Sequence, residues 1–252
     1  MHFEHRAGCS LSLCAQAGRI SGSAPFASVA GVMNAAEIAT RSGRASDDSR
    51  TRILAVWVIL GSGLLALPVA AAVIWLVREQ LHIMCGMGQP GSEGADTWTC
   101  TDGIGYLGVA VTLGGMWFLA LVLGSLLAGI VRHGRAARIA LVLLAVVAMV
   151  WILGWTWYGS IELVDDAYSP MKGPEYWATT VGPAALVSAA ALVAALVSLL
   201  IADRPARIVC AGAAIGLIVA TILQPGLSVN TLPTAGLLAA AGVRATSPLR
   251  AD

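Results

Sequence analysis

Residues 53–77 read ILAVWVILGSGLLALPVAAAVIWLV, a run with no Asp, Glu, Lys, Arg or His. About 20 apolar residues in helical form cross the ~30 Å hydrocarbon core of a bilayer, so this run is long enough to span it. Inside lipid the backbone must satisfy its own polar groups, and a long apolar run without alternation does so as a helix. Four further charge-free runs repeat the signal at 104–131, 139–159, 178–202 and 208–223, the last of them short for a crossing. The expected fold class is therefore all-α: a polytopic transmembrane helical bundle of about five spans, with a disulfide-closed extracytoplasmic cap.

Around these runs little sequence is left for a soluble domain. Hydrophobic side chains make up 58% of the chain. Residues 1–52 are rich in Ala, Ser, Gly and Arg and lack hydrophobic periodicity, so they read as a cytoplasmic, mostly disordered segment. A start at Met33 would make 1–32 a start-site artefact. Residues 53–223 form the bundle. Residues 224–252 read as an outer tail, with a re-entrant or sixth segment at 227–243 as the alternative, because that stretch is weakly apolar and contains Asn230 and Pro233. If it crosses, Arg244 and Arg250 land inside.

Charge placement orients the bundle. Lys and Arg number six in 1–52, one in 78–103, three in 132–138, one in 160–177, two in 203–207 and two beyond 223. Positive residues concentrate on the cytoplasmic side, so the N-terminus is expected inside and the two longer loops outside. The expected localisation is the cell membrane. Ala, Gly, Val and Arg usage resembles that of GC-rich bacterial membrane proteins.

Two features of the outer side suggest chemistry. Cys85 and Cys100 share the first outer loop with fourteen residues between them, and an oxidising exterior favours a disulfide. Closing a loop of ~15 residues contributes about 3 kcal/mol in the chain-entropy model. Nine of the twelve Trp and Tyr residues also fall at or beyond the outer interface. With the carboxylates of the outer loops they suggest a cation-binding rim formed by Trp157, Trp177, Asp165 and Asp166. Interfacial anchoring is the simpler account of the same aromatics.

Small residues recur at four-residue spacing in Gly124–Ala128, Ser125–Gly129 and Gly212–Gly216, which lets helix backbones approach closely. Gly61, Ser62, Gly63 and Pro68 in the first run suggest a kink packed on Gly114 and Gly115. No phosphate loop, nucleophile elbow or zinc-ligand spacing occurs, so no catalytic residue, metal or cofactor is expected. The expected function is a non-catalytic integral membrane protein that packs with or scaffolds other membrane components. The alternative is a transporter or channel subunit with an acidic, aromatic outer vestibule. Expected partners are the lipid bilayer and other membrane proteins or a second copy, not nucleic acid.

Overall fold

The computed structural model describes residues 27–75, 85–87, 98–100, 105–162 and 172–245. The chain divides into two compact units, Met1–Ala45 and Ser46–Asp252. The described part of the first unit is helical, the beginning of α1 (Ala27–Trp75), so regular structure starts well upstream of Ile53. In the second unit, α1 is followed by two three-residue strands, β1 (Cys85–Met87) and β2 (Trp98–Cys100), paired antiparallel. Then come α2 (Gly105–Ile130), α3 (Gly134–Glu162), α4 (Gly173–Thr180), α5 (Gly182–Ser198), α6 (Asp203–Leu223) and α7 (Ser228–Arg244).

Five helical stretches are long and apolar enough to cross a membrane: Asp47–Ala72, Val111–Ile130, Gly134–Ile161, Arg204–Leu223 and Pro225–Arg244. This marks an integral membrane protein. The stretch expected as a straight fourth span is a bent pair instead, α4 and α5 meeting at 60°. Proline explains the break. Pro183 has no N–H to donate one turn back to Thr179, and it disfavours helical geometry at Gly182 before it. Val181 at the joint still donates to Trp177 O at 2.8 Å. The fifth expected run is also longer than it looked, because α6 takes in Arg204–Arg207 below Ile208.

The sequence leaves the C-terminal region open between an outer tail and a further segment. Residues 228–243 lie in α7, which packs against α2, α3 and α6. It is the least apolar of the five stretches and the most enclosed: 78% of its window is buried, against 22% for those of α1 and α2. A helix surrounded by other helices meets protein rather than lipid, so small and hydroxyl side chains serve it better than large apolar ones. Along α7, Ala235, Leu237, Leu238, Ala240 and Ala241 join the main apolar core with Ile59, Leu141 and Leu217.

Small residues set the close approaches. A methyl group at Gly236 would overlap Ser62 of α1 and stand 3.3 Å from Val58 O, so α1 and α7 cross at this point. Gly63 faces Leu121 of α2, and Trp117 Nε1 donates to Gly63 O at 3.1 Å. The small residues of α1 therefore pack on Gly236 and Leu121. Gly114 and Gly115, the expected partners, have open space where a side chain would stand. Gly124 faces Leu237, and Gly216 of α6 stands against Ala191 of α5. These small-residue pairs serve packing inside the bundle. Gly212 alone of the three motifs faces outward, with nothing near it.

Candidate functional site

Two places in the bundle gather polar or aromatic side chains. The first is where α3 and α4 meet. Gly173 and Pro174 open α4, the proline sitting where a helix start leaves an N–H unneeded. One turn on, Trp177 turns toward the bundle. Its ring meets that of Trp157 edge to face, with centroids 5.0 Å apart and planes at 84°. Its Nε1 donates to Thr156 Oγ1 at 3.1 Å, and Thr156 Oγ1 in turn donates to Leu153 O. Trp177 also packs on Ile152, Val181 and Leu227, so it ties α4 to α3 and to the turn that begins α7. Trp157 remains 42% exposed.

The structure thus brings together two of the four residues expected in the cation rim. Trp177 packs on protein and donates its N–H to Thr156, while Asp165 and Asp166 lie outside the described residues. The two expected disulfide partners, Cys85 and Cys100, stand directly opposite one another in the β1–β2 ladder. Opposed residues of an antiparallel pair lie roughly 4.5–5.5 Å apart at Cα, inside the span of a disulfide. The Cys85 and Cys100 side chains lie outside the description. Cys210, buried on α6, is free and lies 3.2 Å from Ser198 Oγ.

The second place is α7 itself, and sequence reasoning missed it. Thr231 Oγ1 and Thr221 Oγ1 of α6 stand 2.6 Å apart, one donating to the other. Thr234 Oγ1 donates to Asn230 O at 2.7 Å. Asn230 Nδ2 and Ser228 Oγ are buried without a hydrogen-bond partner among the described residues. Hydroxyls and an amide do not titrate near neutral pH, so this polar column offers hydrogen bonding rather than proton transfer.

No family model, curated protein or solved structure matches this chain.

At its C-terminal end α7 carries Arg244, which is fully buried. Its Nη1 donates to Asp48 Oδ1 at 3.1 Å, and its Nη2 donates to Val131 O at 2.7 Å, just beyond the end of α2. Asp48 also pairs with Arg52 one turn along α1. A guanidinium with planar, divergent donors suits this role, because it reaches a carboxylate and the unpaired carbonyls of a helix end at once. The contact joins α1, α2 and α7 at one end of the bundle, the end that also holds Arg207, whose carbonyl faces Gly242 of α7. The sequence held one signal of it: a sixth crossing would bring Arg244 to the side where the other arginines sit.

Proposed function

We propose that this protein is a non-catalytic, multi-pass component of the cell membrane that packs laterally against other membrane components. The observation that carries the reading is α7 in the middle of the bundle. Among the described residues a helix occupies the centre, and most of its side chains are buried against neighbouring helices. What the bundle offers to a partner is therefore its outside. There, on α3, an open groove of about 580 Å3 lies over Gly154, flanked by Val150, Trp151, Trp155 and Tyr158. A glycine among large side chains lets another helix come close, which is how helices associate when lipid and partner are equally apolar.

The test is photo-crosslinking in membranes of the native cell. A photoreactive residue at Val150 on the α3 groove should give a protein adduct of discrete mass, a second copy or another membrane protein. The same residue at Val193, equally exposed on α5, should give lipid adducts alone. Lipid adducts alone at both positions would remove the proposal.

Orientation belongs to the same reading. Counting α4 with α5 as one crossing and α7 as the sixth puts both termini on one side. Thirteen of the fifteen Lys and Arg then fall in segments on that side, which supports its assignment to the cytoplasm. The Cys85–Cys100 bridge follows on the opposite, oxidising side, supported by their opposed register. In intact cells an impermeant maleimide should modify Glu175→Cys and leave Arg135→Cys unmodified. Non-reducing digests of the same membranes should yield a peptide joining Cys85 to Cys100. Labelling of Arg135→Cys alone would invert the topology, and free alkylation of both native cysteines would end the bridge.

A further inference from the structure

At the Arg-rich end, a trough of about 430 Å3 lies between α1 and α2, and its lining changes character along its length. Its mouth is polar, formed by Ser49 and Arg52. Its wall is apolar, formed by Ile53, Val56, Trp57 and Leu60, and Gly129 of α2 completes the lining. From Arg52 to Leu60 the helix rises about 12 Å, which is the reach of the first several carbons of an acyl chain. Trp57, five residues along the helix from Arg52, is 67% exposed, an aromatic of the kind enriched where headgroup gives way to hydrocarbon.

The charge at the mouth is unbalanced. One carboxylate, Asp48, serves two guanidinium groups, those of Arg52 and Arg244. Arg244 is sealed from solvent, whereas the Arg52 side chain is 25% exposed at the trough. Arg52 Nε is buried without a hydrogen-bond partner among the described residues. Ser49 adds an exposed hydroxyl. A surplus positive charge beside an exposed hydroxyl, set above an apolar channel, has the chemistry of a site for an amphiphile with an anionic, hydrogen-bond-accepting head.

We propose that this trough binds an anionic phospholipid, its phosphate at Arg52 and Ser49 and one acyl chain along Ile53, Trp57 and Leu60. The site stands apart from the α3 groove and does not depend on lateral packing there. Gly129 is the element that keeps it open. A side chain at that position would point at Val56, whose Cγ2 lies 3.7 Å from where a Cβ would stand, and a longer one would fill the trough.

The experiment uses the purified full-length protein in mild detergent, with lipid adducts counted by native mass spectrometry. The probes are phosphatidylglycerol, a diacylglycerol of the same chains, and inorganic phosphate. Phosphatidylglycerol should be held at least about fivefold more tightly than diacylglycerol, the increment expected of one basic residue near a phosphate. Ser49→Glu, an exposed position, should remove that preference. Gly129→Leu should weaken both lipids together, and Arg135→Gln, which removes a charge elsewhere on the same end, should leave the adduct unchanged. Equal retention of the two lipids would overturn the proposal. So would an unaltered preference in Ser49→Glu, or displacement of phosphatidylglycerol by millimolar inorganic phosphate, which would mark a free-anion site.

Discussion

Replacing Asp48 by Leu is expected to cost the bundle about 3 kcal/mol, the lower end of what removing one partner of a buried ion pair costs. Arg244 is the reason. Its side chain is fully enclosed, so without Asp48 its charge keeps, among the described residues, the carbonyls of Val131 and Arg132. The cost falls at the lower end because Asp48 is 29% exposed and already shares its charge with Arg52, which can turn toward solvent. The double variant Asp48→Leu with Arg244→Met should recover most of the loss, since a buried pair replaced by apolar side chains of similar volume is close to neutral. Unfolding of the purified protein in detergent, followed by denaturant or heat, reads both. A double variant no more stable than Asp48→Leu alone would show that Arg244 does not carry the effect.

The second large effect is expected at the crossing of α1 and α7. Gly236→Ala places a methyl group against Ser62, with Ser62 Cβ 2.7 Å away and Val58 O at 3.3 Å. Backbone cannot yield as a flexible side-chain tip would, so the two helices must separate. Overpacking of this kind costs about 1–3 kcal/mol. Gly61→Ala on α1, next to Ser62, meets open space and should be neutral or stabilising by up to about 1 kcal/mol, from helix propensity alone. Adding Ser62→Gly to Gly236→Ala moves the bulk from one side of the interface to the other and should restore part of the loss. Melting temperatures of the three variants in one detergent decide it: equal shifts for Gly236→Ala and Gly61→Ala would mean that close approach at Gly236 does not hold α7 in place.

Both effects sit on α7, the helix least legible in the sequence. The spans of α1, α2, α3 and α6 could be read directly because each presents much of its surface to lipid and must be apolar nearly all round. That is a local property of residues such as 53–77. The small residues of α1 could be read as a packing face, but not their partners, because four-residue spacing gives no address for the opposing helix. Gly63 found Leu121, and Ser62 found Gly236. Of the expected rim, the meeting of Trp157 and Trp177 follows from the bend at Pro183, which turns α4 back toward α3.

By itself the sequence determined that this chain is built from membrane-length helices and that its arginines cluster in alternate segments, since both are set by what each segment must face: lipid, or the water on one side of it. The tertiary structure alone decided that Asn230, Thr231, Thr234 and Arg244 lie inside. A helix enclosed by its neighbours escapes the demand for apolarity that lipid makes. Two of its polar side chains are matched across the bundle, Thr231 to Thr221 and Arg244 to Asp48, a partner 196 positions away. Such matches depend on which helices touch, and only the folded bundle specifies that.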